Sequence, residues 1–343
     1  MENPAMTRKP VAFWCLAITM SVLAGESLAQ QEDTWTGKQV MIARDGIQLR
    51  AGSEVLAPLP LGAVLEVSNV NGQWLWFKGR RGWIDQNAVV PVDKAVEYFT
   101  TAIENSPTSQ SYHHRGIAHA ALGQFQKAEE DFSGAIQRDA ANIPAYNERG
   151  NARRELGKLD EAIADFDEVI RQGVQHPAVF TNRGLARHDQ GKYDEALPDY
   201  NVAIAIDAKF APAWEAGGST RQAQGNLPKA ISNFRRAIEL DDSFDRAHNN
   251  LAWILATTSD DQLRDATQAI QHATKACELV AYTDAGYLDT LAAAMAEAGR
   301  FDEAVKRAKE AIEKATTEQK PAIEMRLRLY EAGQTYREPA ATD

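Results

Sequence analysis

Cysteine is almost absent from this sequence: Cys15 and Cys277 are the two thiols in 343 residues. A disulfide framework cannot be built from them, so stability has to come from packing. The longest apolar run, Val11 to Gly25, is about 15 residues and falls short of the roughly 20 that span a bilayer as a helix. HExxH, GxSxG, GxxxxGK[ST] and CxxC are all missing, and with them the commonest signatures of metalloproteases, serine hydrolases, nucleotide enzymes and thiol oxidoreductases. A basic excess is missing too. The formal net charge is -11, segments 1–29 and 30–92 are each balanced, and the whole acid excess falls on 93–343. Such a surface repels phosphate backbones, which argues against nucleic-acid binding and against adhesion to anionic membranes.

What is present begins with a processing segment. Arg8 and Lys9 precede the apolar run, and Ser27-Leu28-Ala29 places small residues at a cleavage site. Residues 1–29 therefore read as a signal peptide removed near Gln30, which predicts an extracytoplasmic protein, periplasmic or secreted; retention as a membrane anchor is the alternative. Cys15 lies inside the apolar run, which disfavours a lipid-anchored N-terminus. Cys277 is then the one thiol of the mature chain and reads as a buried small hydrophobe.

From 36 to 92 the pattern is one of short alternating runs broken by turns. Val64 to Val67, Asn71-Gly72 and Trp74 to Phe77 predict strand, two-residue hairpin and strand. Lys78 to Gly82 predicts a second tight connection into Trp83-Ile84. About five short strands without helical periodicity suggest a small all-β barrel. The runs Gly46 to Arg50, Leu61 to Val67, Asn71 to Trp74 and Gly79 to Ile84 resemble the bacterial SH3-like domain of exported proteins. The resemblance implies extracytoplasmic binding, of a cell-wall or peptide ligand, without naming it. Trp74, Trp76 and Trp83 are expected to fill the core of so small a domain, with a ligand-binding shelf as the alternative.

Beyond residue 93 the sequence repeats. Gly123, Gly157, Gly191 and Gly225 recur every 34 positions; so do Ala128, Ala162, Ala196 and Ala230, and again Phe132, Phe166, Tyr200 and Phe234. Gly116, Gly150, Gly184 and Gly218 keep the same step, each preceded by an aromatic at 112, 146, 180 or 214. The aromatic, small, small, aromatic order resembles the tetratricopeptide repeat, which implies an all-α superhelical solenoid of helix-turn-helix units. Small residues let helix A of each unit approach helix B, aromatics fill the space beside them, and the glycine after helix A takes the left-handed turn. Asp160 and Asp194 are expected to cap helix B. Regular repeats are placed at 109–142, 143–176, 177–210 and 211–244, with a degenerate unit at 245–284 whose extra residues fall near 257–264. A sixth follows at 285–318, then a capping helix at 319–336 with Arg326, Arg328 and Glu331 outward. Pro144, Pro177 and Pro212 suit the first turn of helix A, whereas Pro198 should distort a helix B.

One register carries charge. Arg115, Arg149 and Arg183 stand where the repeat ordinarily has leucine, and Asp131, Asp165 and Asp199 follow each of them at i+16; in the fourth repeat both vanish together, to Gly217 and Asn233. Joint loss predicts structural Arg-Asp pairs within or between repeats, because either charge buried alone is strongly unfavourable; an arginine ladder facing the groove to grip acidic ligands is the alternative. No catalytic constellation emerges, and the three histidines 113, 114 and 119 lack the spacing and further ligands of a metal site. Neither enzyme activity nor a cofactor is expected. The resemblance implies a groove lined by helix A, here His113, Ile117, Asn147, Asn151, Arg154, Thr181, His188 and Glu215. The lysine and asparagine set that clamps a carboxylate in chaperone-binding members of the family is not reproduced. The reading is a non-enzymatic exported scaffold that holds a protein or peptide partner in this groove; the alternative is an envelope-targeting protein whose SH3-like domain binds wall polymer, with the repeats as spacer.

Overall fold

A computed structural model describes residues 35–43, 46–51 and 54–339. Residues 1–29, read above as a signal peptide, lie outside the described residues. Contacts divide the chain into two compact units between Ala95 and Val96.

The first unit is β-rich. Strands β1 (Gln39–Ile42), β4 (Val64–Glu66) and β8 (Val89–Pro91) form one antiparallel sheet in the order β4-β1-β8. Strands β2 (Gln48–Ala51), β3 (Glu54–Pro58), β5 (Asn69–Asn71), β6 (Trp74–Phe77) and β7 (Gly82–Asp85) form the second, ordered β3-β2-β7-β6-β5. Val40 and Ile42 from one sheet meet Leu49, Leu75, Phe77 and Ile84 from the other in a single apolar core. The hairpin differs from the expectation by one strand. Val64–Glu66 pairs with β1, and β5 is the strand that faces β6, with Asn71 opposite Trp74. The two-residue turn is thus Gly72-Gln73, and it is Gly72 that carries the positive φ, 58°. The tryptophans also differ. Alternation puts Leu75, Phe77 and Ile84 inward, so Trp74, Trp76 and Trp83 stand partly buried on the opposite face, outside the core cluster.

The second unit is a solenoid of helical hairpins. After α1 (Val92–Asn105) come the pairs α2 (Ser109–Ala121) with α3 (Phe125–Arg138), α4 (Ile143–Glu155) with α5 (Leu159–Arg171), α6 (Pro177–Asp189) with α7 (Tyr193–Ile206), and α8 (Ala211–Ala223) with α9 (Leu227–Leu240). Then follow α10 (Asp245–Thr257) with α11 (Ala266–Leu279), α12 (Ala285–Glu297) with α13 (Phe301–Lys314), and α14 (Lys320–Glu331). A Cβ built on Gly116, Gly150, Gly184 or Gly218 would lie 2.5–2.7 Å from the ring of Phe132, Phe166, Tyr200 or Phe234, so each glycine exists to seat that aromatic. The turn after helix A is a Schellman motif: Gly123 N–H bonds Ala120 O, and Gln124 N–H bonds His119 O. The same pair of bonds recurs at Gly157, Gly191, Gly225 and Gly299.

One local expectation is corrected. Asp160 and Asp194 lie one residue inside helix B and make no cap; each accepts instead from the side-chain amide of the next repeat, Gln190 or Gln224, at 2.7 and 2.8 Å. Pro198 lies inside α7, on its exposed face, and the helix runs on through it to Ile206. The lengthened turn of the fifth pair, 258–265, is stitched by Arg264, which donates to Thr258 O and Glu297. The apolar core is uneven. From α9 onward it forms one continuous cluster, whereas α2–α8 hold several small ones, and there the charged register fills the space between.

Candidate functional site

The charged register buries its carboxylates between the helices. Arg115 donates through Nε and Nη2 to both oxygens of Asp131, at 2.8 and 2.6 Å; Arg149 does so to Asp165 and Arg183 to Asp199. The third guanidinium nitrogen reaches back to the preceding helix B, to Thr100, Ser133 or Asp167, so each arginine ties two repeats together. The guanidinium also lies over the aromatic three residues before it, 5.4–5.8 Å from the ring centre of Tyr112, Tyr146 or Phe180. A second arginine joins each of the later two pairs: Arg153 donates to Asp165 and Arg187 to Asp199, both at 2.8 Å. Its register continues to Arg221 beside Asn233. The sequence signal for this partner was the recurrence of arginine at 153, 187 and 221, in step with the repeat. Every oxygen of these aspartates is engaged internally, so the arginines form joints between repeats and have no free fork to offer a ligand.

The groove residues are less uniform. Helices A of successive repeats contact one another, α2 with α4, α4 with α6, α6 with α8, and so on to α12 and α14, forming one wall. On it Asn147 and Asn151 both donate to Glu148, Arg154 donates to Asp189 of the next repeat, and His188 shares a hydrogen bond with Thr220. Ile117 packs against Ala128, Phe132 and Ala152, bridging two repeats. Thr181 is 3% exposed and bonds Pro177 O, and Glu215 is 2% exposed beneath Ser219 and Arg246. These two support the wall and leave its surface to their neighbours. Between the C-terminal ends of α8 and α10 the wall opens into a recess of about 750 Å³ lined by His188, Ser219, Gln222, Leu263 and Glu338.

One register on this wall is polar throughout: His113, Asn147, Thr181, Glu215 and Asn249 follow one another at the repeat interval. His113 Nε2, Asn147 Oδ1 and Asn249 Oδ1 lie just beneath the surface without a hydrogen-bond partner. Polar atoms are seldom buried in this way without one.

Arg326 corrects an expectation. It points inward, with both nitrogens of its fork on Asp289 at 3.1 and 2.6 Å. Burial raises the Asp289 pKa, and Arg326 opposes the rise. The sequence carried no repeat signal for this pair, since it joins the sixth unit to α14 once. His248 and His272 were also missed. Their Nδ1 atoms share a hydrogen bond of 2.9 Å, and His248 occupies the aromatic register of 112, 146, 180 and 214. Among the described residues, no group of three His, Cys, Asp or Glu is placed to hold a metal, and no helix is long and apolar enough to cross a membrane. Cys277 is fully buried, and burial pushes its thiol up to about 12.

The histidines make stability depend on pH. Burial, followed by the adjacent His114, holds His113 down at about 4; burial, followed by His248, holds His272 down at about 4. An unfolded histidine titrates near 6.5, so between about 6.5 and 4 the unfolded chain binds protons that the fold refuses. Stability is therefore whole above pH 6.5 and falls as the pH drops toward 4. The expected loss is about 1–3 kcal/mol after discounting for partial exposure. Urea midpoints at pH 7 and pH 4.5 should differ accordingly, and His113→Gln with His272→Gln should flatten the difference. An unchanged slope in the double variant would place the titration elsewhere.

Comparison with known proteins follows the same lines. The family model described as "Tetratricopeptide repeat" matches residues 92–143, 147–209 and 216–282, together more than half of the chain. No curated protein sequence matches. Among solved structures, the APC/C hetero-tetramer Cut9-Hcn1 aligns with a TM-score of 0.60 at 16% identity, over 69% of this chain and 46% of that one. A tetratricopeptide repeat protein from Parabacteroides merdae aligns with a TM-score of 0.50 at 16% identity, over 70% of this chain and 92% of that one. This chain spans less than half the length of the Cut9-Hcn1 chain it matches. At such identities the likeness is one of fold.

Proposed function

The chain belongs to the tetratricopeptide repeat family, and from that premise we propose that it is a non-enzymatic scaffold that holds an extended segment of a partner protein against the helix A wall. The carrying observation is the set of unmet polar atoms at His113, Asn147 and Asn249, three positions of one register on that wall. An extended main chain repeats N–H and C=O groups along its length, so it can serve a row of such positions after small side-chain rotations. The acid excess on residues 93–343 favours a partner that is not itself strongly acidic and disfavours nucleic acid. The signal segment read in residues 1–29 supports a role outside the cytoplasm.

The test begins with a photo-cross-linking residue at Ser219 or Asn151, used in the protein's own compartment to identify the partner. Asn151→Arg is then expected to weaken binding of that purified partner at least tenfold, about 1.4 kcal/mol. A charge change at exposed Glu130 on helix B, Glu130→Lys, should leave it unchanged. Equal effects of the two variants would remove the helix A wall from the binding surface.

A second reading rests on the first unit. Trp76 and Trp83 face each other across β6 and β7 at 5.2 Å, and Arg50 lies 5.8 Å from the Trp74 ring. Partly accessible aromatics beside a cation suit a ligand shelf, and the SH3-like resemblance supports a wall polymer or peptide as its ligand. Pelleting of the mature protein with purified wall material, with and without residues 30–92, separates this envelope-targeting reading from the scaffold.

A further inference from the structure

α14 ends as a helix A ends. Gly333 keeps the repeat step from Gly299, takes a positive φ of 68°, and closes the same Schellman pair, with Gly333 N–H on Tyr330 O and Gln334 N–H on Leu329 O. Each earlier helix A that ends this way is followed by a helix B. Among the described residues none follows here: residues 334–339 are neither helix nor strand, and α14 stops at Glu331, short of the expected 336.

The segment runs back across the helix A wall. Arg337 pairs with Glu297 at the end of α12, 2.6 Å away. Glu338 N–H donates to Thr257 O at 2.8 Å, and the Trp253 indole N–H donates to the Glu338 carboxylate at 2.6 Å. The Tyr336 ring lies 5.9 Å from that of Trp253, and the Arg326 guanidinium sits 5.3 Å from both ring centres. Trp253 belongs to the register of Ile117, Asn151 and Ser219, so the segment lies on the same positions that earlier repeats present as groove. Past Glu338 and Pro339 the path opens into the recess between α8 and α10.

These contacts have the form of peptide recognition: a main-chain bond to a carbonyl freed at a helix C-terminus, an aromatic stacked on a fixed guanidinium, and a carboxylate read by an indole N–H. We infer that the segment Gln334–Pro339 is a built-in occupant of the peptide site. It fills the C-terminal part of the helix A wall in cis, and a partner segment with an aromatic, any residue, a glutamate and a proline in extended form competes with it there. The inference rests on the scaffold reading above. Tethering gives the segment a high effective concentration, so a free peptide displaces it only when the cis contact is weakened.

The full-length chain supplies the first test. Amide exchange at Glu338 is expected to be protected, and Glu338→Ala or Trp253→Phe should remove the protection; exchange at the free-chain rate in the unaltered protein would overturn the inference. A labelled synthetic peptide spanning residues 334–343 is then titrated into the unaltered chain, into full-length Glu338→Ala, and into a chain ending at Gly333. Binding at least tenfold tighter to the two altered chains is the expected result, and the same peptide carrying alanine for Glu338 should lose it. Equal binding to all three chains, or none to any, overturns cis occupancy. A dimer that dissociates on truncation would place the segment in a second copy and overturns it as well. The two readings fail separately. A partner captured at Asn151 and held equally by full-length and truncated chains sinks this inference alone, whereas a peptide that binds while no partner is held sinks the scaffold alone.

Discussion

Asp165→Ala is expected to cost the solenoid about 3–5 kcal/mol, the range for removing one partner of a buried ion pair. Asp165 is 3% exposed and accepts three charge-assisted hydrogen bonds, two from Arg149 and one from Arg153. The variant leaves Arg149 without its carboxylate and Arg153 with Glu129 alone, in a part of the array whose apolar clusters are small, so little else there can compensate. The fourth repeat supplies the control. Arg149→Gly with Asp165→Asn reproduces Gly217 and Asn233, where the second arginine, Arg221, sits beside the amide. That double variant should lose less than Asp165→Ala by itself, because it removes the stranded charge together with its partner. Urea midpoints of the three chains check the ordering, and an Asp165→Ala chain as stable as the unaltered protein would show the pairs to be decorative.

Gly184→Val is expected to be of comparable severity, about 3 kcal/mol or more, as overpacking at a helix crossing. The added Cβ would lie 2.5 Å from Cε1 of Tyr200, a ring that is 1% exposed and closed in on every side. Neither helix can retreat without opening the hairpin, because the same glycine-aromatic contact fixes the spacing in the repeats before and after it. Gly191→Ala, seven residues along, is the contrast. It has open space around it and a φ of 75°, so its cost is the left-handed backbone strain of about 1–2 kcal/mol. Helical content and thermal midpoint distinguish the two, and equal losses would mean that glycine at 184 serves the backbone and not the packing.

Comparison of the Arg-Asp register with the Arg326-Asp289 pair shows what a repeat makes readable. Arg115, Arg149 and Arg183 could be paired with their aspartates without coordinates, because three copies kept the spacing and a fourth lost both partners at once. Arg326 and Asp289 are joined by the same chemistry, yet they occur once, 37 residues apart, and no second copy marked them as partners. Asp160 and Asp194 had the spacing of a cap but not its position. One residue along a helix turns a side chain by about 100°, enough to move it from the free amides to the neighbouring repeat. The tryptophans of the β unit failed for a related reason, since alternation says that one face is buried but not which one when both carry large apolar groups.

The sequence by itself determined the class of fold and the spacing of its units, because a helical hairpin that must close on a glycine and stack on its neighbour imposes the same small and aromatic residues every 34 positions. Tertiary structure alone decided which polar side chains of helix A are covered and which remain at the surface. It also decided that Gln334–Pro339 returns across Trp253 where a further helix B would otherwise start. Both are matters of contact between segments far apart in the chain, and such contacts leave no period in the sequence from which they could be read.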